Sequence, residues 1–151
     1  MRKTDNFAVL MIDLQVDFCS PDGFAAKLNR NLEPISLMLT KLKEFYRETK
    51  KSGAYFYNFR PKEPDTGLLK VLWRKRITTL VLAGVRTELS VDATAKRAIS
   101  EGFEVVLASD LVATYKEKMS FQKQFLELFN RYYGNVKKSQ AILDDFEDRY
   151  L

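Results

Sequence analysis

The sequence predicts an α/β protein in which a five-stranded parallel sheet lies between two layers of helices. Three observations point there. Three short runs, FAVLMID (7–13), TTLVLAG (78–84) and FEVVLAS (103–109), are apolar on both faces, as strands in the middle of a parallel sheet are. Stretches with helical periodicity separate them, giving regular strand–helix alternation. Glycine and proline are scarce, 6 and 4 in 151 residues, so long linkers are not expected, and regular alternation with short loops gives a parallel sheet with helices on both faces. A chain of this length with 46% apolar residues can bury one core, so one domain over residues 1–151 is expected, a three-layer α/β/α unit of Rossmann-like type.

Taken in order, the first strand, 7–13, ends at Asp13 and leads into a polar loop, DFCSPDGFAAKLNRN, with Pro21 and Gly23 as turn residues. Asn31 can cap a helix whose first turn holds Glu33 and Pro34. Leu32, Ile35, Leu39, Leu42, Phe45 and Tyr46 form its apolar stripe, and Gly53 ends it. AYFYNFR (54–60) is an aromatic-rich second strand. A short connection, PKEPD (61–65), precedes a helix over 66–76 anchored by Leu68, Leu69 and Leu72, whose end Arg74-Lys75-Arg76 is read as exposed cations complementing the helix dipole. The third strand is 78–84, followed by a helix over 88–101 that stops at Gly102. The fourth strand is 103–109, with Asp110 just past its end. Residues 117–133 form an amphipathic helix with Phe121, Phe125, Leu128, Phe129 and Tyr132 on one face, a stripe for the core or a subunit interface. Gly134 closes it. NVKKS (135–139) is a short edge strand, and Ser139 can cap a last helix, 140–147.

Composition narrows the chemistry. One cysteine, Cys19, permits no intramolecular disulfide, which fits a reducing, cytoplasmic setting, with import into an organelle left open. The chain has no histidine, so the commonest general base and the commonest zinc ligand are both missing, and neither a metal nor another cofactor is expected. The first apolar run is too short for a signal or membrane segment, so no membrane association is expected. Net charge is +5; residues 1–80 carry 15 basic and 9 acidic residues, residues 81–151 carry 10 and 11. A basic half can attract nucleic acid, but no binding motif accompanies it, and a solvated basic surface is favoured.

In parallel sheets, ligands bind beyond the C-terminal strand ends where strand order reverses. Asp13, Arg60, Lys62, Arg86 and Asp110 all fall on that rim. The stretch 78–98, TTLVLAGVRTELSVDATAKRA, is a strand, a glycine turn and a helix start, with Ser90 near the beginning of the helix.

Two stretches, MIDLQVDFCSPDGFAA (11–26) and LVLAGVRTELSVDATAKRAISEGFEVVLASDLVAT (80–114), go further. Together they resemble the isochorismatase-like family of hydrolases, the cysteine hydrolase superfamily, which includes nicotinamidases and N-carbamoyl amidohydrolases. Asp13 falls on the family's catalytic aspartate, followed by its Gln and Asp-Phe (Gln15, Asp17, Phe18). GVRTELSV is similar to its G-V-x-T-x-x-C-V turn, and the likeness runs on to FNRYYGNVKKSQAIL near the C-terminus. The resemblance implies an isochorismatase-type fold, a non-proline cis peptide at Val85–Arg86, and a site in which a cysteine attacks an amide, an aspartate moves the proton and a lysine stabilises charge. Backbone N–H groups around the turn would hold the oxyanion.

The chain departs from that pattern twice. Ser90 stands where the cysteine belongs, and an alcohol needs a base that no histidine is present to supply. Family spacing puts the lysine near Tyr57, because the segment before residue 66 is shortened; Lys62 is the lysine that could reach the rim. Cys19 is read as a structural thiol. The candidate catalytic residues are therefore Asp13, Ser90 and Lys62, and the candidate substrate-binding residues Phe18, Val85 and Arg86, with Arg86 standing where a small residue is common. Two functions follow. One is hydrolysis of a small amide or vinyl ether with Asp13 as acid/base, since the family's vinyl-ether hydrolases need no cysteine. The other is a catalytically degenerate member serving as a binding or assembly subunit. Expected partners are a small-molecule ligand and further protein chains, in a homo-oligomer or a hetero-complex.

Overall fold

The computed structural model describes residues 6–60 and 67–150. Its five strands, β1 (Asn6–Ile12), β2 (Tyr55–Phe59), β3 (Ile77–Val85), β4 (Glu104–Ala113) and β5 (Asn135–Lys137), form one parallel sheet in the order β2-β1-β3-β4-β5. The chain steps outward from β1 to β2, then crosses back to β3 on the other side. The switch point thus lies between β1 and β3.

The helices are α1 (Val16–Cys19), α2 (Phe24–Lys27), α3 (Glu33–Lys51), α4 (Leu68–Arg74), α5 (Asp92–Ser100), α6 (Met119–Tyr132) and α7 (Ser139–Tyr150). Strand pleating divides the core in two. Phe7 and Val9 of β1, with Val81, Ala83 and Val85 of β3, pack against Ile35, Met38, Leu42 and Phe45 of α3 and Ile142 and Phe146 of α7. Phe7 and Phe146 stack with ring centroids 3.8 Å apart. On the other face Ala8, Leu10 and Ile12, with Leu80 and Leu82, meet Leu72 of α4, Ala95 and Ala98 of α5 and Phe129 of α6. This is the expected three-layer α/β/α sandwich.

Local signals behave as the residues dictate, with shifts. Asn31 Oδ1 accepts the Glu33 N–H at 3.0 Å, fixing the start of α3. Gly53, at φ 75°, lets its own N–H reach Lys50 and the Ala54 N–H reach Thr49, closing the last turn. The loop after Asp13 contains α1 and α2, each a single turn of four residues and too short to carry a readable period. Ser139 opens α7 rather than standing before it, and α7 runs to Tyr150.

β4 departs most from expectation. It continues to Ala113 and does not stop at Ser109. Leu82 pairs with Leu107, but Gly84 pairs with Val112, so β4 bulges between those points. The bulge reverses the pleat: Val106 and Ala108 face the α3/α7 core, and beyond it Leu111 and Ala113 do. Asp110 consequently lies inside the strand. Its carboxylate accepts the Ser139 N–H (2.7 Å) and hydroxyl (2.8 Å), anchoring the first turn of α7.

The amphipathic stripe of α6 is only partly core. Phe129 is buried, whereas Phe121, Leu128 and Tyr132 are exposed. Among the described residues no helix is long and apolar enough to cross a membrane.

Gly84 pairs with Ile12 and adopts φ 123°, and a Cβ there would run into the Ile12 backbone. Gly84→Ala should therefore lower stability by about 3 kcal/mol, from backbone strain and overpacking together. A shift in the urea midpoint checks this; an unchanged midpoint would contradict the close approach of β3 to β1.

Candidate functional site

The switch point brings Asp13 and the turn after β3 to adjacent strand ends. Asp13 directly follows β1 and adopts φ 50°, a left-handed conformation uncommon for a residue with a side chain. Its N–H donates to Phe59 O at 2.9 Å, tying the ends of β1 and β2 together. Its carboxylate accepts only a long bond from Gln15 Nε2, at 3.4 Å, among the described residues.

The helix expected over 88–101 begins instead with a π-helical turn, Thr87–Val91, and is α-helical only from Asp92. The Val91 N–H reaches back five residues to Arg86 O at 3.2 Å. Two side-chain bonds hold this wide turn in place. Thr87 Oγ1 donates to Gln122 Oε1 of α6 at 2.8 Å, and Thr114 Oγ1 donates to Glu88 Oε1 at 3.0 Å. Ser90 sits within the turn, half-buried, and its carbonyl accepts the Thr94 hydroxyl at 2.7 Å. The Val85–Arg86 peptide is cis, as the resemblance implied.

Beside the turn opens a cleft of about 280 Å³ lined by Phe18, Arg86, Glu88, Leu89, Tyr115 and Lys118, among others. The Arg86 guanidinium lies 5.7 Å from the Phe18 ring centroid. Burial pushes the Tyr115 phenol up, while the Arg86 and Arg30 guanidiniums pull the other way, so both cations are within electrostatic reach of this ring.

The sequence-predicted residues are thus distributed unevenly. Phe18 and Arg86 meet across the cleft, while Asp13 and Ser90 stand at the neighbouring strand and turn. Val85 is fully buried in the α3/α7 core, so a ligand could reach only its backbone. Lys62 lies outside the described residues. Asp110, expected on the rim, is committed to α7. Glu88, Tyr115, Arg30 and Lys118 were not singled out from the sequence. Tyr115 and Arg30 come from distant loops and carry no local pattern, whereas Glu88 could have been noticed as an acidic residue two positions after Arg86 in the motif itself.

The chain is a doubly wound α/β domain with a strand–turn–helix platform at its switch point, the place where ligands bind in open parallel sheets generally. The sequence profile of the Isochorismatase domain matches residues 59–141, more than half of the chain, and the chain belongs to that family. Asp13 precedes the matched region. Among solved structures, an isochorismatase-like hydrolase from Alkaliphilus metalliredigens is similar with a TM-score of 0.75 at 18% identity, covering 93% of this chain and 99% of that one. The nicotinamidase/pyrazinamidase PncA from Bacillus subtilis gives 0.74 at 17%, covering 88% and 100%. The pyrazinamidase of Pyrococcus horikoshii, in a structure with zinc, gives 0.69 at 22%, covering 88% and 99%. At these identities the likeness is one of fold. No curated protein matches the chain.

A metal of the kind in the Pyrococcus structure does not fit the donors available here. The chain has no histidine, and no three acidic or cysteine side chains cluster among the described residues.

Cys19 packs against the α3/α7 core, and burial is the chief cause that pushes its thiol up, with the Asp13 charge adding to it. A raised pKa means less thiolate at a given pH. Iodoacetamide at pH 8 should alkylate Cys19 several-fold more slowly in the native chain than in urea; equal rates would contradict this environment.

Proposed function

We propose that the chain is a small-molecule hydrolase of the isochorismatase family that uses Asp13 as acid and base and no cysteine nucleophile. The observation that carries this reading is the conformation of Asp13. A carboxylate held at φ 50° beyond a buried strand, at the switch point and with one long side-chain hydrogen bond among the described residues, supports a role in chemistry. Asp110 offers the contrast, since its two oxygens are both engaged in anchoring α7.

With a vinyl ether as substrate, the protonated Asp13 gives its proton to the terminal carbon of the double bond. Water adds to the resulting oxocarbenium carbon and returns a proton to the carboxylate. The hemiketal then collapses to a carbonyl compound and an alcohol. With an amide, the carboxylate would instead take the proton from attacking water and pass it to the leaving nitrogen. Ser90 then serves as a hydrogen-bonding group at the platform. Phe18 and Arg86 bind substrate, with the Val85 backbone beside them, and Lys62, on the connection after β2, is the lysine assigned to charge stabilisation. A reducing, cytoplasmic setting suits the single cysteine.

A second reading is favoured by the exposed apolar side chains of α6, Phe121, Leu128 and Tyr132, and by serine at position 90. In it the chain is a degenerate member acting as a binding or assembly subunit, in a homo-oligomer or a hetero-complex.

The two readings separate in one experiment. Purified protein and its Asp13→Asn variant are assayed against a panel of small amides and vinyl ethers, with mass measured in solution by light scattering. The hydrolase reading expects turnover that falls at least about 100-fold in the variant. Equal background rates for both proteins, together with a stable complex, would leave only the second reading.

A further inference from the structure

We propose that the chain binds single-stranded nucleic acid at the end of the sheet opposite the cleft, on a corner that carries unpaired cations and exposed aromatic rings. This surface is separate from the hydrolase reading and stands without it.

The corner is built where β2 and β3 begin. The sheet is parallel, so these strand starts share one edge, while Asp13 and the turn after β3 lie at the other. β2 is the edge strand and opens with Tyr55, which pairs with Ala8 of β1. α4 ends at Arg74, and Lys75 and Arg76 follow it before β3 starts at Ile77. The two elements meet directly, since Lys75 Nζ lies over the Tyr55 ring, 4.2 Å from its centroid. α3 ends nearby, where the Gly53 N–H donates to Lys50 O and the Ala54 N–H to Thr49 O just ahead of Tyr55.

Charge is concentrated and uncompensated here. Lys50, Arg74, Lys75 and Arg76 are all exposed, and among the described residues none of them has a carboxylate within ion-pair distance. Glu48, in the last turn of α3, is taken by Lys51 at 3.0 Å. A helix dipole favours a cation in the last turn of a helix, but Arg76 lies beyond α4. Its backbone is a sharper sign. α3, α4 and α5 are each followed by one left-handed residue: Gly53 at φ 75°, Arg76 at φ 54° and Gly102 at φ 91°. Glycine takes that conformation freely and arginine does not. At one of three equivalent turns the chain carries a cation against the preference of its backbone.

The rings decide the partner. Trp73 is 54% exposed and Tyr55 is 42% exposed. Flat rings set among cations suit a strand with unpaired bases, which stack on the rings while phosphates meet the cations. A duplex has no free base faces to offer. A membrane needs a broad apolar face, and α4 has spent its leucines on the core: Leu72 is buried, with Leu68 and Leu69 packed against the same cluster. An acidic polypeptide would neutralise the cations and leave the rings uncovered.

Trp73 is the chain's one tryptophan, so its fluorescence reports on this corner alone. Oligouridylate or oligothymidylate of about 12 nucleotides, added to the full chain in about 50 mM NaCl, should quench it with a Kd in the micromolar range. Neutralising four phosphates predicts a slope of about −3 for log affinity against log salt. By anisotropy of a labelled strand, Trp73→Ala should weaken binding about tenfold. Arg76→Gly should weaken it several-fold and lower the salt slope by about 0.7, yet leave the urea midpoint unchanged or higher, because glycine suits the left-handed turn. Lys123→Gln, at an exposed cation of α6, should change nothing. Four results would overturn the proposal: no binding of either strand, a duplex binding as tightly as the single strands, polyglutamate or phosphatidylserine vesicles binding more tightly than they do, or strand binding that neither Trp73→Ala nor Arg76→Gly weakens.

Discussion

The end of β3 lies so close to β1 that only a residue without a side chain fits. Gly84 meets the Ile12 backbone there, and the rest of the site depends on that approach. It brings Asp13, the residue after Ile12, beside the turn that Val85 and Arg86 begin. A wider spacing would leave the carboxylate and the turn on separate parts of the rim. The neighbouring strands reinforce the arrangement: Phe59 O holds the Asp13 N–H from one side, and the bulge of β4 carries Thr114 to Glu88 from the other.

The bulge also explains why two acidic residues that follow apolar runs have different surroundings. Both Asp13 and Asp110 follow apolar runs and look alike in sequence. β1 ends at Ile12, and Asp13, its N–H still held by Phe59 O, turns into a left-handed conformation. β4 resumes after Asp110, so that carboxylate is fixed inside the strand and turned to the first residue of α7. The difference lies in what the chain does next, which a short polar interruption does not reveal.

Much of the fold was legible because buried strands have a plain signature. Runs such as FAVLMID and TTLVLAG admit few other structures, and alternation with amphipathic stripes fixes parallel pairing. The motif GVRTELSV likewise located the turn after β3. Less legible were features produced by tertiary context. A π-helical turn differs from an α-helical start by one hydrogen-bond register, and it is secured by Gln122 and Thr114, both far along the chain. The Val85 side chain points into the core because β3 continues one residue further than its apolar run suggests. The stripe on α6 looked uniformly apolar, yet the helix meets the sheet mainly through Phe129, leaving its flanks outside.

In the proposed hydrolase the turn carries serine in place of a nucleophilic cysteine, and Asp13 and water make the bond changes with no covalent intermediate. The most direct test is rapid acid quench during turnover of a vinyl ether, followed by intact-protein and peptide mass spectrometry. Product should form with the 17.5 kDa chain unmodified at every time point. A transient mass gain on the peptide that contains Ser90 would contradict it.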